Sequence, residues 1–173
     1  MPRVAERMVA MSLNDVIILL ASLALLVAAL HDVAARTIPN EIPLVVAVLG
    51  LGLRFLQGDL LWGLLALLLV FTLAVIAWRA RVMGGGDVKL LAACALLPAP
   101  ASVADMMVAI ALSGGVLSLF YLVFRGRRPL PIPARSPNLI ARALRAEVWR
   151  LRRGGPLPYG VAIFAGTLLT LAG

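Results

Sequence analysis

From Leu60 to Trp78 the chain carries no ionisable residue, and apolar runs of similar character recur along its length. A backbone that enters hydrocarbon has to satisfy its polar groups within itself, which a helix does residue by residue. At ~1.5 Å per residue such a run is long enough to cross a ~30 Å hydrocarbon core. Composition agrees: 62% of the 173 residues are apolar and the mean hydropathy is +1.03, where a soluble domain runs near ~45–50% apolar. The expected fold is all-α, a polytopic membrane protein forming one embedded domain over residues 1–173.

Reading in order, six spans are expected, at about 13–30, 42–56, 60–78, 88–97, 104–124 and 159–172. The first, Leu13–Leu30, is longer than a signal-peptide core and lacks a small-residue cleavage pattern before Asp32, so it is expected to stay in place. A polar turn, His31–Glu41, follows it. In that turn Pro39 excludes a helix interior, and Asn40 is placed to cap the second helix, with Pro43 in its first turn. Trp62 and Trp78 stand at the two ends of the third span, where interfacial aromatics belong. The fourth covers only ~15 Å. Either its helix starts before Asp87, or the preceding glycines dip into the membrane inside a protein-lined cavity.

The net charge of +8 is placed beside apolar spans, which argues for topology and anionic lipid rather than nucleic acid. If the loops at 32–41, 79–89 and 125–157 share one face, that face holds thirteen of the sixteen basic residues. The bias of Lys and Arg toward the cytoplasm makes it the inner face. Within the last of these loops, Ser136 and Pro137 begin a helix that Gly154–Pro156 ends. Ile140, Leu144, Val148 and Leu151 lie on one side and arginines mostly on the other, the pattern of a cytoplasmic helix lying on a membrane surface.

Asp32 and Asp87 were not part of that count, yet both fall on the basic face. An ionisable group at membrane depth is a functional candidate. Two carboxylates that share a site cannot both ionise cheaply, so one keeps a proton. The ionised one can draw a proton from water while the other polarises a peptide carbonyl. The glycines Gly84–Gly86 leave the backbone free to bend and an extended substrate free to approach Asp87. Read singly, the same residues have plainer uses: Asp32 as a juxtamembrane charge, the glycines as a turn, Asp87 as a helix cap. Lys89 can pair with Asp87 or reach lipid phosphate. Asp59 and Asp105 read as turn or cap residues on the far face. His31 reads as interfacial, and no second His completes a metal site. Cys94, the single cysteine, reads as a small buried apolar residue. No cofactor is expected.

Gly84-x-Gly86-Asp87 resembles the GxGD signature of intramembrane aspartyl proteases. Asp32, followed by Arg36 and Ile38-Pro39-Asn40, resembles the first aspartate motif of type IV prepilin peptidases, and Gly86-Asp87-Val88-Lys89-Leu90 their second. Pro158-Tyr159-Gly160-Val161-Ala162-Ile163 resembles their closing segment. The resemblance runs from the first span to the last. It implies an endopeptidase of the bacterial inner membrane that removes the leader of prepilins at the cytoplasmic face. Asp32 and Asp87 would be the catalytic pair, with Gly84, Gly86, Lys89, Pro39 and Asn40 in support. The partner would be a prepilin with its leader and apolar helix, and residues 125–153 would rest on anionic lipid. The short form is similar to the peptidases of tight-adherence (Flp) pili, and no methyltransferase activity is expected. The alternatives are a peptidase for pseudopilins or another short precursor, and a non-catalytic scaffold or small transporter.

Overall fold

The computed structural model describes residues 12–124 and 157–173, and among them every regular element is helical. They form α1 (Leu13–Ala35), α2 (Glu41–Gln57), α3 (Leu60–Arg79), α4 (Gly85–Cys94), α5 (Val103–Phe124) and α6 (Tyr159–Ala172), with a 3-10 turn at Pro100–Ser102. The surface helix expected between Ser136 and Arg153 lies outside the described residues.

Three helical stretches are long and apolar enough to cross a membrane: Leu13–Ala35, Leu60–Arg79 and Pro100–Phe124. Their outer faces expose large apolar side chains such as Leu30, Leu61, Trp62 and Leu122. α2, α4 and α6 are shorter, at 17, 10 and 14 residues.

One expectation about helix ends is corrected and one open choice is decided. The first helix does not stop at Leu30. It begins at a Ser12–Asp15 capping box and runs to Ala35, ending where Arg36 takes a left-handed φ of 57°. Polar side chains do not terminate a helix by themselves; it continues until the backbone turns, so His31 and Asp32 are helical. The fourth helix begins at Gly85, before Asp87, which settles the choice left open above.

α4 is the buried centre of the fold. Every residue from Leu90 to Pro98 is hidden, under α2, α3 and α6. Ten residues cannot bridge a bilayer, and this helix has no need to, because protein surrounds it. Close approach depends on missing side chains. A Cβ on Gly50 would stand 2.5 Å from that of Leu96, so α2 and the turn that follows α4 meet nearly backbone to backbone.

At the end of the bundle remote from Asp87, Arg54 is 1% exposed. Its Nη1 meets Asp59 Oδ2 at 2.7 Å and its Nη2 donates to the Leu97 carbonyl at 3.2 Å. Gly63 makes room for its stem, since a Cβ there would lie 2.7 Å from Arg54 Cγ. The arginine read as a topology charge is therefore a clamp joining the α2–α3 turn to the end of α4. Asp59 stands at the α3 N-cap position but makes no capping bond. Asp59→Ala leaves a buried guanidinium without its counter-charge, and a loss of about 3 kcal/mol is expected. Thermal unfolding in detergent should show it, with Arg54→Met plus Asp59→Leu recovering much of the loss.

Candidate active site

Asp32 sits in the last turn of α1 and is 6% exposed. Its Oδ2 accepts the backbone N–H of Gly160, in the first turn of α6, at 2.8 Å. One turn on, Arg36 closes α1 with its own N–H on the Asp32 carbonyl (2.9 Å). The chain then crosses through Ile38 to Pro39, whose carbonyl takes the Ile42 N–H at 3.2 Å and so starts α2.

Ile38 is the link to the second carboxylate. It is buried, and a Cβ on Gly86 would come 3.1 Å from Ile38 Cβ. The corner after α1 thus packs on the first turn of α4, one residue from Asp87. Asp87 is the third residue of that helix, and its Oδ2 accepts the Gly84 N–H at 3.3 Å. A carboxylate in the first turn also suits the positive end of the helix dipole.

The glycines are expected to leave the backbone free to bend and open to close approach; their backbone here is regular. Gly84 is extended at φ −76°, ψ 152°, and Gly85 and Gly86 are helical. None of the three needs a conformation denied to other residues. What counts is the absence of a side chain. Gly86 admits Ile38, and at Gly84 a Cβ would lie 3.0 Å from Asp87 Oδ2.

Asp32 and Asp87 line one cavity of about 460 Å³. Met83 and Gly84 form its wall before α4, and Leu157 and Tyr159 the wall before and within α6. Arg36 brings a cation to the same wall, with its Nη2 donating to Tyr121 Oη at 3.3 Å. Burial pushes the Asp87 carboxyl up to about 6, the nearby charge of Asp32 adds to the rise, and the Gly84 N–H opposes it. Burial is the larger cause, and the Asp32 charge acts in the same direction. A larger hollow, about 530 Å³ between α5 and α6, is lined by apolar residues such as Leu112, Val116 and Leu169 and, among the described residues, carries no titratable group.

A model of the type IV leader peptidase family matches residues 19–123. The chain belongs to that family. No curated protein and no solved structure matches it significantly. Membership makes the protein a peptidase, and its three long apolar helices fit a membrane-associated one. In this leader peptidase the matched stretch spans both cavity carboxylates but ends before α6.

Of the other residues expected in support of the site, Pro39, Asn40 and Lys89 lie outside the cavity. Lys89 is on the opposite side of α4 from Asp87, and its Nζ donates to Asn40 Oδ1 at 2.8 Å. The expected Asn40 cap is not made, because Lys89 holds its oxygen. Pro39, Asn40 and Lys89 thus tie α2 to α4. His31 Nδ1 lies 2.6 Å from the Thr37 carbonyl and steadies the same corner. Cys94 is buried as expected. Among the described residues no cluster of His, Cys, Asp and Glu could hold a metal ion. Ile38, Tyr159 and Gly160 were given no role on sequence grounds. The Pro158-Tyr159-Gly160 tripeptide was the available signal for the last two.

Proposed function

We propose that this leader peptidase is an aspartic endopeptidase acting on type IV prepilins of the Flp type. It cuts behind the basic leader, at the cytoplasmic face of the bacterial inner membrane, and Asp32 and Asp87 are the catalytic pair. One observation carries the reading: two carboxylates far apart in sequence, each in a motif resembling the family's, line the same cavity, and the charge of one is felt at the other.

In this scheme Asp87 holds the shared proton and Asp32 is ionised. Water attacks the scissile carbonyl carbon. Its proton passes to Asp32 while Asp87 gives its proton to the carbonyl oxygen, leaving a neutral tetrahedral gem-diol. Asp32 then protonates the departing nitrogen, the C–N bond breaks, and a gem-diol hydroxyl returns a proton to Asp87. Water is consumed and the pair ends as it began. A helical substrate offers no free carbonyl, so the precursor must unwind at the cut.

All six helices cross or enter the membrane in this reading, and the arginines of the basic segment 125–153 face anionic lipid. Methyl transfer forms no part of the proposed activity.

Co-expression with an Flp-type precursor, followed by mass spectrometry of the product's N-terminus, tests the reading. Removal of the leader only when the wild-type chain is present is expected. A precursor set that stays intact throughout refutes the substrate assignment. Chelators should leave the rate unchanged, since the pair activates water without a metal.

A further inference from the structure

The pair comes from α1 and α4, yet one polar contact of Asp32 comes from neither helix. It is the Gly160 N–H of α6, which reaches Asp32 Oδ2 across 128 residues of sequence in a buried setting. Gly160 is in the first turn of α6, where backbone N–H groups have no partner within the helix. A carboxylate is the natural acceptor there, and the helix dipole favours it. The approach has no slack: a Cβ on Gly160 would stand 3.1 Å from both Asp32 Cβ and Oδ2, and 3.4 Å from Cγ. Tyr159, the neighbouring residue, is part of the cavity wall, and its ring lies 3.2 Å from where a Gly114 Cβ would be. Packing between α5 and α6 thereby sets the height at which the Gly160 N–H meets Asp32.

We propose that Gly160 is a positioning residue of the peptidase, fixing the rotamer and the accepting oxygen of Asp32 through its N–H and through the space left by its missing side chain. This rests on the assignment of Asp32 and Asp87 as the catalytic pair. Asp32 is the ionised member of the pair, and an N–H on its Oδ2 fixes how the carboxylate is turned. The contact therefore selects which part of Asp32 can face water, and the first turn of α6 becomes a third component of the site. The charged and titratable groups lining the same cavity are Asp87 from α4, Arg36 from the end of α1 and Tyr159 from α6.

Gly160→Ala should lower kcat by about 10–100-fold, as expected when a reacting group is displaced by a fraction of an ångström. KM should change less than about threefold, because precursor binding is not the interaction removed. The alkaline limb of the pH–rate profile should also move, which a general loss of stability would not cause. Gly115→Ala is the control, because a Cβ there meets nothing within 4 Å. The single cysteine reports on folding: Cys94 is fully buried and faces Thr167 of α6, so it should resist maleimide in both variants as in wild type.

A second measurement needs no substitution at Gly160. In 15N-labelled wild-type protein, the Gly160 amide proton should titrate with the pair and lie downfield of its position in Asp32→Asn. Wild-type kinetics in a folded Gly160→Ala, or a Gly160 amide indifferent to both pH and Asp32→Asn, overturns the proposal. If Gly160→Ala is fully active while Asp32→Asn and Asp87→Asn are dead, this inference alone fails. If the Asp variants are active, the catalytic assignment itself fails.

Discussion

Asp87→Asn is expected to abolish leader removal, by more than about a thousandfold, while making the folded protein more stable at neutral pH. The activity loss follows from the chemistry. An amide cannot give up a proton to the carbonyl oxygen, and general acid–base steps contribute about 10²–10⁴-fold each. Asp32→Asn should be as damaging, and the double variant no worse than either single one, because residues that act as a unit do not add. Precursor processing in cells and peptide cleavage in detergent both read this out. Residual activity within tenfold of wild type in either variant removes that residue from the mechanism.

The stability gain follows from linkage. Asp87 has a folded pKa of about 6 against an ordinary 3.8. Between those values the folded state holds the extra proton, so stability falls as pH rises through this window and is level above it. A shift of that size corresponds to about 3 kcal/mol in full. Asp87 is partly exposed, so about 1–2 kcal/mol is the expected gain for Asp87→Asn at pH 7. The gap should close on acidification toward pH 4. Melting temperatures of the two proteins across that range provide the check; a gap that widened in acid would reverse the sign of the argument. The same titration shapes catalysis. The active form needs one proton in the pair, so kcat/KM should drop about tenfold per pH unit beyond an alkaline limb set by loss of that proton. The limb should lie above the usual carboxylate range.

The helical class and the approximate positions of the helices were legible because each rests on an uninterrupted apolar run, a local property. The three helices from Glu41 to Arg79 and from Val103 to Phe124 begin and end within a residue or two of where the runs do. What was not legible was non-local. Nothing near Gly86 says that Ile38 will lie against it; the close approach expected at the glycines is that of a substrate, whereas the one found is the chain's own corner after α1. Asn40 carries the composition of a helix cap, but Lys89, distant in sequence, competes for its oxygen and wins. Arg54 counts only toward topology in the sequence, because its burial depends on Gly63 and on a carbonyl at Leu97. Asp32 and Asp87 could be named from their motifs. The hold on Asp32 could not, since a backbone N–H leaves no mark in the letter code.

Gly166→Ala is expected to cost about 3 kcal/mol or more and to take the activity with it. A Cβ at this position would stand 2.5 Å from Ile110 Cα and 2.6 Å from its Cγ1, with the Ile110 backbone nitrogen equally in the way. Backbone on both sides cannot swing aside as a flexible side chain can, so α5 and α6 must separate; overpacking of this kind typically costs about 1–3 kcal/mol, occasionally more. In a bilayer no hydrophobic force drives the helices back together, since lipid solvates the exposed faces as well as protein does, and close van der Waals contact is what is lost. The damage is transmitted to the cavity because α6 enters it with Tyr159 and meets Asp32 with Gly160. Gly115→Ala, on the open side of α5, should leave stability unchanged or raise it by up to about 1 kcal/mol, as Ala replacing Gly in a helix does. The contrast between the two Gly→Ala variants isolates contact from helix propensity, which acts equally in both. Equal melting temperatures for the two would mean that α5 and α6 are not held at backbone distance. The height of Gly160 over Asp32 would then have to be set by α1 alone.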